Sequence, residues 1–140
     1  MSTPIYPCLW FDGRAKEAAE FYCSVFKNSK IISESPIVVD FELNGKRFIG
    51  INGGPMFRFT EAVSFVIECE TQEEIDYYWD RLTEGGEESM GGWLKDKYGL
   101  SWQVFPRILT TLMNDPVKGP RVIAAFRSVR KFDIAKLMEL

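Results

Sequence analysis

The sequence contains no histidine. That removes the commonest general base at neutral pH and the commonest transition-metal ligand together. Ser-His-Asp and Cys-His catalysis within one chain are thereby excluded. Cysteine is scarce too. Cys8, Cys23 and Cys69 are widely spaced, odd in number and form no CxxC pattern. This argues against a disulfide scaffold and against a zinc site. All three lie in apolar stretches and are expected to be buried, inert thiols. No apolar run reaches the length of a membrane span. The opening Met1-Ser2-Thr3-Pro4 lacks the basic and apolar regions of a secretory signal. The cytoplasm is the expected compartment. Neither sign of charge dominates: 17 basic residues face 20 acidic ones, a net charge of −3. That balance gives no electrostatic reason to expect nucleic acid or an anionic membrane as partner.

What is present suits one globular domain. The chain has 140 residues, 46% of them hydrophobic and 26% charged. A chain of that length can bury a core without disulfide or metal support. Ile5 to Phe11 reads as a buried strand, and Arg14 to Phe26 as a helix with Ala18, Phe21, Tyr22, Val25 and Phe26 at helical spacing. A second strand is expected at Lys30 to Ser33. Ile37 to Leu43 alternates apolar and acidic residues, Asn44-Gly45 is a two-residue hairpin signal, and Arg47 to Asn52 returns as a fourth strand. Between the second and third strands, Ser33-Glu34-Ser35-Pro36 leaves little room. Either the hairpin is unusually tight or a mobile stretch is missing from the sequence there.

The pattern then restarts. Ala62 to Cys69 reads as a strand, and Thr71 with Glu74 forms a capping-box signature for a helix whose buried face carries Ile75, Tyr78, Trp79 and Leu82. Short strands are expected at Glu88 to Met90, Trp93 to Tyr98 and Ser101 to Phe105, the last two joined by a tight turn at Gly99. Helices follow at Leu109 to Asn114 and from about Pro116, with Asp133 capping a final turn or two. The order β-α-β-β-β, repeated, indicates an α+β fold rather than a doubly wound parallel sheet. Phe21-Tyr22 and Tyr77-Tyr78 hold equivalent places in the two helices, a faint sign of duplication. The expected layout is a single domain over 1–140. It has a first module at about 1–55, a second at about 60–107 and a helical tail at 108–140.

Several stretches carry a family likeness. Leu9-Trp10-Phe11-Asp12-Gly13 with Ala18-Ala19-Glu20-Phe21-Tyr22, then Asn52-Gly53-Gly54-Pro55, then Thr71-Gln72-Glu73-Glu74 with Tyr78-Trp79, resemble PhnB-like proteins. Gly92 to Gln103 is the longest match. Together with the helical tail these span nearly the whole chain. PhnB-like proteins form a branch of the vicinal-oxygen-chelate superfamily, which includes glyoxalase and bleomycin-resistance proteins. They are often labelled demethylubiquinone methyltransferases. The resemblance implies two βαβββ modules whose curled sheets make a glyoxalase-like cup, and it implies a homodimer. It also implies places where metal-using relatives carry His or Glu ligands. Those places fall at Pro7 or Cys8, at Gly50 or Asn52, at Ser64 and at Gln103. None is His, Asp or Glu, and Met56 stands where family members carry a His after Asn-Gly-Gly-Pro. Neutral amide and hydroxyl oxygens are poor ligands for a Lewis-acidic ion. No metal and no cofactor are therefore expected.

The expected site is a pocket for a small organic ligand, with Asn52, Ser64, Trp93 and Gln103 as binding residues. Apolar walls would supply affinity and the few amides orientation. Each residue also has a plainer reading. Asn52 suits turn chemistry before two glycines. Ser64 without a base is no nucleophile. Gln103 can satisfy neighbouring backbone. Trp10, Trp93 and Trp102 can be core or interface residues. Other readings are a glyoxalase-like enzyme using Glu68 or Glu42 as base, and a purely structural role. A methyl-donor site of the usual kind is disfavoured, since Gly53-Gly54-Pro55 is not followed by a helix and the chain is short for that fold.

Overall fold

The computed structural model describes residues 2–140. Two compact units divide the chain, one ending at Phe59 and the other running from Thr60 to Leu140.

The first unit contains β1 (Cys8–Phe11), α1 (Ala15–Val25), β2 (Lys30–Glu34), β3 (Val38–Leu43) and β4 (Lys46–Asn52). Its sheet runs β1-β4-β3-β2, with β1 parallel to β4 and the other neighbours antiparallel. β1 is shorter than the apolar run that predicts it. Pro7 has no N–H to give to a ladder, although its carbonyl accepts from the Ile49 amide at 3.0 Å. α1 buries Ala15, Ala18, Ala19, Tyr22 and Val25, and the sheet answers with Leu9, Phe11, Val39, Phe41 and Leu43. Each large side chain in that layer contributes about 1.5–3 kcal/mol by leaving water. Asn44 and Gly45 have φ of 51° and 76°, as a type I′ hairpin turn requires. The β2–β3 reversal takes only residues 35–37. Ser35 closes it: its amide donates to the Val38 carbonyl at 2.8 Å, and its hydroxyl accepts from the Val38 amide at 3.0 Å.

The second unit contains β5 (Ser64–Cys69), α2 (Gln72–Thr83), β6 (Glu87–Glu88), β7 (Trp93–Lys95) and β8 (Ser101–Pro106). Its sheet runs β5-β8-β7-β6, with β5 parallel to β8. This repeats the first sheet strand for strand, so the duplication expected from the sequence is present in the topology. The predicted cap holds, since the Thr71 hydroxyl accepts from the Glu74 amide at 3.2 Å. β7 stops earlier than expected, because Asp96 diverts the chain into a turn: its amide donates to Leu100 and its carbonyl accepts from Gly99, both at 2.9 Å.

The tail belongs to this second unit, as α3 (Ile108–Met113), α4 (Gly119–Phe126) and α5 (Ile134–Met138). It is tied down through Gln72, whose amide nitrogen donates to the Phe132 carbonyl at 2.9 Å and whose amide oxygen accepts from Ile134 at 2.8 Å. Gly92 lets Phe132 approach. With φ of +81°, a Cβ there would lie 2.6 Å from the Phe132 ring. Among the described residues no helix is long and apolar enough to cross a membrane.

Candidate functional site

Strand alternation gives each sheet a helix-covered face and an open face. In the first unit the open face carries Cys8 and Trp10 on β1 and Ile49 and Ile51 on β4, in register as Cys8 with Ile49 and Trp10 with Ile51. Asp40 and Val38 continue it on β3. Asp40 pairs with Arg47 at 2.9 Å, and the Arg47 guanidinium lies 4.0 Å from the Tyr6 ring centre. That carboxylate partner raises the Arg47 pKa. The Trp10 indole donates to the Gly54 carbonyl at 2.9 Å and meets Phe57 edge-on at 4.8 Å. Gly53 makes room for it, since a Cβ there would sit 2.2 Å from the indole. The Gly53-Gly54 pair therefore seats a tryptophan.

Asn52 lies on the other face of β4. Its side-chain oxygen accepts from the Ala15 amide at 2.9 Å, at the start of α1, and its amide nitrogen donates to the Pro36 carbonyl at 3.1 Å. Both polar ends join pieces of the fold. Gly50 also faces the helix, beside Phe11 and Ala15. Cys8 is exposed and Cys23 half-buried, so only Cys69 fits the expectation of buried thiols. The short run Cys8-Leu9-Trp10-Phe11 shows no polar alternation that would have marked Cys8 as outward.

The open face of the second sheet is more polar. One cross-strand row reads Ser64, Ser101, Lys95, Glu87, and the next reads Val66, Gln103, Trp93. The Gln103 amide donates to the Ser64 hydroxyl at 2.9 Å. Trp93, half-buried, stands directly opposite Gln103. Three of the four predicted residues, Ser64, Trp93 and Gln103, are thus neighbours on one face. Trp102 points the other way into the core, where its indole donates to Asp96 at 2.9 Å. Glu68 is exposed and pairs with Arg107 at 3.6 Å. Glu42 sits in register with Arg47 and Lys30.

Beside Trp93 lies a pocket of about 180 Å³ lined by Glu61, Glu87, Ser89, Trp93, Lys95 and Ser101, among others. Lys95 forms an ion pair with Glu61 across it. That bond holds the Glu61 carboxyl below its usual range and, with the field of Glu87, raises the Lys95 ammonium. Ser101 is the residue that sequence reasoning missed. It is fully buried, and its hydroxyl is the one buried side-chain polar atom among the described residues with no hydrogen-bond partner. A serine on a strand beside a Trp and a Gln carries no signal of that state, which depends on what covers it.

The comparisons with known proteins bear on this geometry. A family described as 3-demethylubiquinone-9 3-methyltransferase matches residues 3–105. A Bacillus cereus PhnB protein, carrying a provisional 3-demethylubiquinone-9 3-methyltransferase name, is 36% identical. The match covers 74% of this chain and 99% of that one, at a TM-score of 0.68. The chain belongs to this family. The PhnB-like resemblance drawn from the motifs is borne out, except that the matched residues end at 105 and leave α3 to α5 outside. The fold is glyoxalase-like. A fosfomycin resistance protein, FosX, from Listeria monocytogenes, complexed with Mn(II) and sulfate, is 17% identical over 74% of this chain and 89% of that one, at a TM-score of 0.57. A glyoxalase-related enzyme from Fulvimarina pelagi is 14% identical over 75% and 88%, at 0.55. At these identities the likeness is one of fold. No curated protein matches the chain.

At the places where the resemblance puts the ligands of metal-using relatives, the residues of this chain do not fit a divalent cation. Gly50 has no side chain, Asn52 is engaged at both ends, and Ser64 and Gln103 bond to each other. Among the described residues no three of His, Cys, Asp or Glu converge as a metal site would need.

Proposed function

We propose that this PhnB-family protein binds a small organic ligand without a metal, on the open face of its second sheet. The observation that carries this reading is the row of Val66, Gln103 and Trp93 lying beside the unpartnered Ser101 hydroxyl and a pocket. An apolar wall with a few fixed polar groups is how small-molecule sites hold and orient a ligand. A buried hydroxyl without a partner costs about 1–3 kcal/mol, which a ligand that bonds to it recovers. Asn52 supports the first unit's helix and hairpin. The reading as a glyoxalase-like enzyme with a carboxylate base finds less support in these side chains, since the candidate base Glu68 is exposed and paired with Arg107. We further propose a cytoplasmic homodimer, in keeping with three free thiols and the habit of glyoxalase-like relatives.

A thermal-shift screen tests the binding reading. Small amphipathic aromatics are expected to raise the melting temperature equally with and without a chelator. Stabilisation that appears only when a divalent cation is added would overturn it. So would ligand shifts that survive Gln103→Leu and Trp93→Ala unchanged.

A further inference from the structure

The pocket beside Trp93 also carries information about the charge of its ligand, and this inference rests on the binding reading above. Its lining includes three carboxylates, Glu61, Glu87 and Glu88, against one ammonium, Lys95. Glu61 is taken by Lys95. Glu88 is taken by the Trp79 indole at 2.8 Å and by Arg130 at 3.5 Å. Glu87 has neither a hydrogen bond nor a close ion pair, and it acts on Lys95 only through space. An anion entering here would meet an ammonium already matched by carboxylates, with Glu87 still unneutralised. A cation would complete the count. The Trp93 ring adds a π surface that attracts cations. The acids alone would say little, because exposed carboxylates are common. The second observation is Ser101, in register with Lys95 on one side and Ser64 on the other, fully buried and lining the pocket with an unpartnered hydroxyl.

We infer that this pocket recognises a small primary amine in its ammonium form. The Glu87 carboxylate faces the charge, the Trp93 ring covers the carbon skeleton, and the Ser101 oxygen accepts one ammonium N–H. A primary ammonium is specified over a quaternary one, because only the former has a proton to give to Ser101.

The test uses the full chain, ¹⁵N-labelled, and four probes: benzylamine, benzyl alcohol, benzoate and benzyltrimethylammonium. Benzylamine is expected to shift the amides of Glu87, Trp93, Lys95 and Ser101 at the lowest concentration, with benzoate weakest. Glu87→Gln, on the exposed edge, is expected to weaken benzylamine about fivefold, the upper range of an exposed charge pair. Ser101→Ala is expected to weaken benzylamine about fivefold as well, and to remove its advantage over benzyltrimethylammonium. If all four probes shift these amides equally, or Glu87→Gln leaves benzylamine unchanged, the ammonium assignment is overturned while small-molecule binding stands. If none of the four shifts them, the ammonium assignment is overturned, and the binding reading is then decided by the thermal-shift screen alone.

Discussion

Replacing Asp96 by alanine should damage the protein more than any single change on the open face. Asp96 is almost wholly buried at the β7–β8 turn, and its carboxylate accepts from the amides of Tyr98 at 2.8 Å and Leu100 at 3.1 Å and from the Trp102 indole at 2.9 Å. Alanine orphans all three donors. Tyr98 lies nearest solvent and water can replace its bond, whereas Leu100 and Trp102 are buried. Two buried orphans at about 1–3 kcal/mol each, partly relaxed, put the loss at about 3 kcal/mol. For a chain of this size that is a fall in melting temperature of about 6–12 °C. Urea unfolding of Asp96→Ala measures it. A double-mutant cycle with Trp102→Phe isolates the indole bond, expected to couple by about 1.5 kcal/mol as a bond to a charged acceptor. A total loss below about 1 kcal/mol, or no coupling, would refute the role given to Asp96. The consequence reaches the site, because this turn holds Lys95 opposite Ser101 and Trp93 opposite Gln103.

Other expectations follow from single observations. Thr71→Ala removes the α2 cap and should cost about 1 kcal/mol in chemical denaturation, with Thr71→Ser restoring most of it. Gly92→Ala forces a Cβ against Phe132 at a positive φ, so the tail should loosen and limited proteolysis should cut between residues 127 and 134 far faster than in the parent. Burial, with help from Glu74, pushes the Cys69 thiol up to about 12. The folded protein thus holds that proton more tightly than the unfolded chain, whose thiol titrates near 9. Stability from this group is complete below pH 9 and falls as pH rises from 9 towards 12, which unfolding curves over that range would show and Cys69→Ala would abolish. In the native state a thiol reagent should modify Cys8 first and leave Cys69 untouched until unfolding.

The topology was legible because it is written in local signals. The restart at residue 62, the Asn44-Gly45 turn and the Thr71–Glu74 box each fix an element by backbone preference, and together they give the doubled βαβββ order. Faces were less legible. Asn52 ends a strand before two glycines, and nothing in that pattern tells that its amide reaches Ala15 and Pro36. The parity of β4 decides this, and the decisive contacts come from residues 16 and 37 positions away. Cys8 sits in a run without polar alternation, so its outward side could not be read. Ser64, Trp93 and Gln103 converge because β7 and β8 pair as the Gly99 turn suggested. Ser101 and Asp96 escaped notice because orphaned or fully bonded states depend on packing and leave no mark on residue order.

The most direct test of metal-free binding is a crystal of the full chain soaked with benzylamine and with Mn(II), with anomalous data collected for manganese. The expected result is organic density against Trp93, reaching Ser101 and Glu87, with no manganese peak at Ser64 or Gln103. A manganese ion coordinated by those two side chains, with the organic density absent or following the metal, would contradict it.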